Sequence, residues 1–172
     1  MRLTIFALVI ACGAVLVSNA LAGTPDRQRL PIGISEDYAP GQICPEGIAP
    51  AGVHLQLIGG NEAITVFDDG RFLATGLHII EVTNTAFPER SIILDVHGNF
   101  VAVPQLDGSS IGRGDGATAF SFFPGDAGPG DASTGRFYLF TGSMEEVTNT
   151  SGAVTAFESV GSSEDVCAMI AA

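Results

Sequence analysis

The sequence predicts an all-β protein: an antiparallel closed barrel or β-sandwich with an irregular N-terminal arm and one short C-terminal helical turn. Three observations support this fold class. Short runs rich in β-branched and aromatic residues recur after residue 52, and turn residues such as glycine, asparagine and aspartate separate them. Before the tail, no segment shows the roughly 3.6-residue period of an amphipathic helix. Two cysteines near the ends of the β-rich region indicate a disulfide.

Residues 1–22 predict a secretory signal peptide. An uninterrupted apolar run follows Arg2, and Ala20 and Ala22 are the small residues that a signal peptidase requires before its cut. One alternative is a membrane anchor, for which the run is shorter than the ~20 residues of a span. Another is lipoprotein processing at Cys12, which lies inside the apolar run. We therefore expect a secreted or extracytoplasmic protein with no stable membrane anchor after cleavage.

The composition limits the function classes. The chain carries a formal net charge of −12 and contains no lysine. Such a chain repels phosphate backbones, so nucleic acid is not expected as a partner, and its partners are otherwise unknown. The lack of lysine excludes Schiff-base catalysis and lysine-dependent phosphate loops. The expected mature chain, residues 23–172, has the length of a single domain.

Proline and glycine separate an N-terminal arm from the β domain. Residues 23–52 show neither a helical nor a strand period, and they predict an irregular arm punctuated by Pro25, Pro31, Pro40, Pro45 and Pro50. Residues 53–172 predict the antiparallel β domain.

The first predicted hairpin of this domain turns at Asp69-Gly70. The run 64–67 leads into that pair, which is typical of a two-residue type I′ turn. The resulting register would place Phe67 opposite Phe72. A further strand is predicted over residues 77–83.

A second hairpin is predicted at Gly98-Asn99. It would connect strands over 91–97 and 100–103 through a two-residue loop. Side chains alternate between the two faces of a strand. The buried face predicted from this register consists of Leu94, Val96, Val101 and Val103.

The C-terminal half reads as three strands and a helical turn. Residues 104–116 are rich in glycine and aspartate and predict a loop. Residues 118–123 predict a strand that ends at Pro124. The segments 136–148 and 154–160 predict the last hairpin. Residues 162–167 predict a single helical turn with Ser162 as its N-cap.

Cys44 and Cys167 predict a disulfide between the arm and the tail. Cys12 would leave with the signal peptide, and an exported protein folds in an oxidising compartment. Closing so long a loop would stabilise the fold by about 4–5 kcal/mol in the chain-entropy account.

Several motifs together resemble a known class of proteins. They are the cysteine after the arm, the Asp-Gly hairpin, Val-Thr-Asn at 82–84, Phe-Phe-Pro-Gly-Asp-Ala-Gly-Pro-Gly at 122–130, Arg-Phe-Tyr-Leu-Phe-Thr-Gly at 136–142 and Asp-Val-Cys-Ala at 165–168. This pattern resembles small secreted β-rich proteins of unknown function from high-GC Gram-positive bacteria. The resemblance covers about Cys44 to Ala168. It implies export and a β fold, and it offers no catalytic residues.

The first functional hypothesis is an exported, non-catalytic β module that binds a small apolar ligand or a surface partner. Small barrels can hold an apolar molecule between their strands. The candidate ligand-contact residues are His78, Phe120, Phe122, Tyr138 and Phe140.

The second hypothesis is an exported barrel-type enzyme, either an isomerase or a hydrolase. It would require His78 or His97 within hydrogen-bond reach of a carboxylate inside a pocket. His97 shares a predicted strand face with Asp95. Residues 108–112 match G-x-S-x-G around Ser110, but no helix is predicted after them as a nucleophile elbow requires, so no catalytic residue is assigned.

The third hypothesis is an acidic surface protein whose loops are ordered by calcium. Calcium prefers several oxygen ligands at flexible spacing. No cofactor other than calcium is suggested, and its candidate ligands are Asp107, Asp115, Asp126 and Asp131.

Overall fold

The structure is a computed structural model that describes residues 25–171. The predicted signal peptide, with the alternatives weighed for it, lies outside the described residues. Within them the chain is all-β, as predicted, and its strands run antiparallel. The strands are β1 (Asp26–Arg29), β2 (Ser35–Tyr38), β3 (Val53–Gly60), β4 (Ala63–Val66), β5 (Phe72–Asn84), β6 (Phe87–Pro104), β7 (Ser110–Phe122), β8 (Arg136–Thr148) and β9 (Val154–Asp165), and a short helix, α1 (Val166–Met169), follows them.

The strands form one open sheet. Its order is β1-β4-β5-β6-β7-β8-β9, and β3 pairs with both β5 and β2. The sheet is not closed on itself. Of the two architectures that the sequence left open, the structure therefore fits a sheet or sandwich and does not show a closed barrel. Over residues 25–171, no helix is long and apolar enough to cross a membrane.

A row of glycines crosses the five long strands. Gly76, Gly98, Gly116, Gly142 and Gly161 occupy successive paired positions on β5 to β9. A Cβ atom on any of the last four would lie 2.0–2.4 Å from a carbonyl oxygen of a neighbouring strand. A side chain at these positions would therefore collide with backbone, so glycine is required along the row.

The sheet divides beyond this glycine row. β6 and β7 are paired through residues 98–104 and 110–116. The preceding half of β6 continues its pairing with β5, whereas the following half of β7 continues with β8. The space at this division is what positions the candidate site.

Two hydrophobic clusters pack against the divided sheet. The first joins Ile80, Leu94 and Phe137 to the arm and to α1. The second is mostly aromatic and contains Phe120 and Phe122 of β7 together with rings of β6, β8 and β9. Burial of these apolar surfaces is the main favourable term for folding.

The predicted disulfide is present. Cys44 and Cys167 are bonded, with their Cα atoms 5.5 Å apart and both residues buried. The predicted helical turn also exists, but it begins later than expected, at Val166. Its N-cap is Asp165, whose carboxylate accepts a hydrogen bond from the backbone N–H of Ala168 at 3.1 Å, whereas Ser162 belongs to β9.

The arm is less irregular than predicted. Residues 25–52 contain β1, which pairs with β4, and β2, which pairs with β3. Both strands have only four residues, too few to show a period between the prolines. The following segment, residues 39–52, contains turns and no strand.

The predicted hairpin at Asp69-Gly70 exists with a shifted register. Val66 pairs with Phe72, and the Phe67 N–H donates to the Arg71 carbonyl at 2.9 Å. The loop therefore has three residues rather than two, and Phe67 does not face Phe72. A three-residue loop of this kind ends on a glycine with positive φ, which Gly70 supplies at +81°.

The turn predicted at Gly98-Asn99 is wrong. β6 runs straight through these residues, because Gly98 belongs to the glycine row rather than to a hairpin. Alternation therefore continues across it, and Leu94 and Val96 share their face with Phe100 and Ala102 instead of the predicted Val101 and Val103. The loop predicted over 104–116 is likewise wrong beyond residue 109, where β7 begins.

Candidate functional site

A cavity of about 90 Å³ lies where β6 and β7 separate. Its lining combines residues of β5, β6 and β7 with one residue from the loop between β3 and β4. The lining consists of Glu62, Phe72, Ala74, Gly76, His78, Val96, Gly98, Asn99, Phe100, Ala117, Thr118, Ala119 and Phe120. A pocket of this kind, mostly apolar with a few converging polar groups, is typical of small-molecule sites.

Small residues create the space and aromatic residues form its walls. Three alanines and two glycines line the cavity, and larger side chains at those positions would occupy it. The walls are the rings of Phe72, Phe100 and Phe120. Phe120 is itself fixed by ring contacts with Phe122 and Phe157, at centroid distances of 4.8 and 5.6 Å.

His78 and Glu62 form the polar end of the cavity. The Glu62 Oε2 atom contacts the His78 Nε2 atom, and both side chains are almost completely buried. These two atoms have no other partner among the residues that the structure describes. The two contacting atoms are therefore shielded from water, while both residues belong to the cavity lining.

The chain places Glu62 through a backbone anchor on the preceding residue. The N–H of Asn61 donates to the Leu77 carbonyl at 2.8 Å, and its side-chain Oδ1 accepts from the Leu77 N–H at 3.1 Å. Gly76 makes this approach possible, since a Cβ there would lie 2.9 Å from the Glu62 Cα. Two consecutive positions of β5, Gly76 and Leu77, thus hold the loop that carries the carboxyl group.

Burial keeps both members of the pair uncharged. It raises the pKa of the Glu62 carboxyl to about 7 and lowers the pKa of the His78 imidazole to about 4. Between these two values the carboxyl keeps its proton and the imidazole is neutral, with one N–H and one acceptor nitrogen. Glu62 therefore donates an O–H···N hydrogen bond to Nε2 of His78, and the imidazole proton lies on Nδ1.

The predicted ligand-contact residues divide into two groups. His78 and Phe120 line the cavity. Phe122, Tyr138 and Phe140 belong instead to the aromatic cluster, where Phe122 meets Tyr138 and Phe140 edge-on at 6.3 Å. They support the wall at Phe120 rather than facing the space.

The four predicted calcium ligands are not brought together. Asp107 and Asp131 are exposed and accept hydrogen bonds within their own turns, from Ser109 and Ser133. Asp115 is exposed on β7, and Asp126 is fully buried. In the described part of the chain, no group of three or more His, Cys, Asp or Glu side chains has the arrangement of a metal site.

The other two histidines lie outside the cavity. His97 pairs with Asp95 at 3.0 Å on the exposed face, in agreement with the predicted pairing. His54 contacts Asp37 at 2.7 Å across β2 and β3. Both pairs are open to solvent, where such contacts contribute little free energy.

A second buried polar group lies behind Phe100. Glu146 is 1 % exposed, and burial together with the Asp126 carboxylate raises its pKa to about 8. Gly112 leaves room for it, because a Cβ there would lie 2.6 Å from Glu146 Oε1 and 2.7 Å from the Phe100 ring. Glu146 was not predicted as a functional residue, because its position in an otherwise alternating strand resembles that of any exposed glutamate.

Comparisons with family models, with curated proteins and with solved structures found no match to this chain. The resemblance to small secreted β-rich bacterial proteins therefore stays a prediction. The hypotheses on function rest on the cavity and its residues.

Proposed function

We propose that this protein is an exported, small-molecule-binding β protein whose ligand occupies the cavity between β5, β6 and β7. The observation that carries the proposal is the buried Glu62–His78 pair at the end of a space walled by phenylalanine. The ligand would place its apolar body against Phe72, Phe100 and Phe120 and a polar group against Glu62 and His78.

The energetic cost of the polar pair supports a role in binding. Burying a carboxyl and an imidazole costs free energy, which a single mutual hydrogen bond offsets only in part. An apolar pair of similar volume would fill the same place at lower cost. Polar groups that converge on an apolar space fix the orientation of a ligand.

Export is supported by two features. Residues 1–22 have the composition of a secretory signal peptide. The Cys44–Cys167 bond is of the kind that persists in oxidising compartments and is rare in the cytosol.

Amide chemical-shift mapping by NMR tests the binding site. We expect benzyl alcohol, as an apolar probe with one hydrogen-bonding group, to shift amides within residues 72–78, 96–100 and 117–120. Ala119→Leu should abolish the shifts, because it adds a side chain to the cavity lining. Ala102→Leu is the matched control, because Ala102 is a buried alanine of β6 outside the lining. Shifts that fall elsewhere, or no shifts at all, would refute the proposal.

A second candidate function is proton-transfer catalysis, and a specific observation favours it. His78 lies within reach of a carboxyl group inside a cavity, which is the arrangement that the enzyme hypothesis required. Such a pair could remove a proton from a carbon beside a carbonyl and return it to another carbon, as an isomerase does. The conversion of cyclohex-3-en-1-one to its conjugated isomer tests this. A rate equal to that of His78→Gln would exclude it.

A further inference from the structure

The titratable groups that line the cavity limit the net charge that its ligand can carry. Glu62 supplies a carboxyl group, and none of the residues that line the cavity is an arginine or lysine. His78 is the other titratable group of the lining, and burial keeps it neutral. An anionic ligand would therefore have to leave water without meeting a positive charge, which is strongly unfavourable.

Three aromatic walls favour the opposite charge. The face of a phenylalanine ring attracts a cation within about 6 Å of its centre, and cages of aromatic rings are a recurrent means of binding quaternary ammonium groups. Phe72, Phe100 and Phe120 supply three such rings. The field of the whole chain acts in the same direction, because its net charge of −12 raises the local concentration of cations.

We propose that the ligand is a small organic cation, namely an amine that carries an apolar group. This inference rests on the proposed function and narrows it. The ammonium group lies at Glu62, in the cavity that the three phenylalanine rings also line, and the apolar group fills the rest of the space between those rings. On binding, Glu62 releases its proton to the solvent, and the resulting carboxylate pairs with the ammonium group while His78 remains as a neutral hydrogen-bonding neighbour. The pairing of opposite charges replaces the neutral hydrogen bond of the empty site.

Calorimetric titration with three probes of similar size tests the inference. The titrations are made at pH 6, below the Glu62 pKa of about 7, so that the empty site is neutral. At this pH benzylamine is a cation, benzyl alcohol is neutral and benzoate is an anion. We expect benzylamine to bind at least tenfold more tightly than benzyl alcohol and benzoate not to bind. We expect Nα-acetyl-lysine N-methylamide, which carries the same ammonium group on a peptide, to bind more weakly than benzylamine, because its two polar amide groups would have to leave water beside a mostly apolar lining. Equal or tighter binding of this peptide probe would overturn the assignment to a free amine.

Two glutamate-to-glutamine variants test whether the preference for the amine depends on Glu62. Glu62→Gln keeps the shape of the side chain but cannot become a carboxylate, so benzylamine should lose its preference over benzyl alcohol. Glu36→Gln is the control, because Glu36 is a half-buried glutamate on β2 outside the cavity, and it should leave all affinities unchanged.

The outcomes separate this inference from the proposed function. If benzyl alcohol binds as well as benzylamine, or if Glu62→Gln keeps the preference for the amine, the inference is wrong and the ligand-binding function stands. If no probe binds, both are wrong.

Discussion

Gly98 of β6 lies directly opposite Gly116 of β7, at the last position where these two strands are paired. A Cβ on Gly98 would lie 2.1 Å from the Asp115 carbonyl oxygen, and one on Gly116 would lie 2.4 Å from the His97 carbonyl oxygen. The absence of both side chains lets the two strands approach closely and then separate. The cavity begins at this point, so the glycine pair determines where the site is.

Gly116→Ala should destabilise the fold by about 3 kcal/mol or more, because the new methyl group would meet the backbone of β6 at a positive φ of +103°. Gly125→Ala is the matched control. Gly125 has a similar φ of +95° but no atom within 4 Å of an added Cβ, so only backbone strain of about 1–2 kcal/mol is expected. Urea unfolding of both variants measures the difference. If both variants lose the same free energy of unfolding, close approach between neighbouring strands is not the reason for glycine at position 116.

Much of the fold can be predicted from local signals. The last hairpin, β8 and β9, was predicted closely because its strands alternate and a polar turn at 149–152 separates them. The errors fall where glycine serves a long-range purpose. Gly98 next to Asn99 resembles a turn pair, but its role is to contact β7, and no local pattern shows such a contact. The same holds for 110–116, where Gly-rich composition conceals a strand.

The site was predicted only in part. His78 and Phe120 could be selected because their residue types and strand positions suit a ligand contact. Glu62 was missed, because it lies in a connecting loop 16 residues from His78 and only the anchoring of Asn61 on β5 brings the two together. The residues that separate the strands, such as Ala117, are small and apolar and carry no chemical signal in the sequence.

Removal of the disulfide should lower stability without removing the sheet. The bond between Cys44 and Cys167 joins the arm to α1 across a sequence separation of 123 residues. Because it restricts the unfolded chain, it stabilises the fold by about 5 kcal/mol in the chain-entropy account. We expect the Cys44→Ala/Cys167→Ala variant to unfold at much lower urea concentration while its circular dichroism in buffer stays β-rich. Alkylation of the non-reduced, unfolded wild-type protein checks the bond itself. Two labelled thiols on the mature chain would contradict it.

Asp126 should be structural rather than a calcium ligand. Its two carboxylate oxygens accept hydrogen bonds from the backbone N–H groups of Phe123 at 2.8 Å and Val154 at 3.1 Å, in a fully buried setting. Asp126→Ala would leave both donors unsatisfied, and we expect a loss of about 2–4 kcal/mol. The exposed Asp131→Ala should cost less than about 1 kcal/mol. The melting temperatures of the wild type and of Asp126→Ala are compared in millimolar calcium and in EDTA. If calcium raises the melting temperature of the wild type, and raises that of Asp126→Ala less, this assignment is wrong.

Glu146 should make the protein less stable as the pH rises. Its folded-state pKa, raised to about 8 from an ordinary value of 4.5, means that the folded chain holds this proton more tightly than the unfolded chain. The stabilisation from Glu146 is therefore complete below pH 4.5, declines as the pH rises toward 8, and is absent above it. Glu62 acts in the same direction up to about pH 7, whereas His78 destabilises the fold as the pH falls from 6.5 toward 4.

Glu146→Gln isolates the Glu146 contribution, because Glu62 and His78 are common to both proteins and cancel in the difference. Glutamine stays neutral, so the stability of the variant relative to wild type should increase between pH 5 and pH 9. At about 1.4 kcal/mol per unit of pKa shift, and allowing for relaxation of the core around the charge, we expect an increase of about 3 kcal/mol. The adjacent Glu145→Gln is the control, because Glu145 lies on the exposed face and pairs with Arg113. Urea unfolding at both pH values measures the change. A Glu146→Gln difference that does not vary with pH would show that Glu146 is ionised in the fold, and that the cluster behind Phe100 admits water or a counterion.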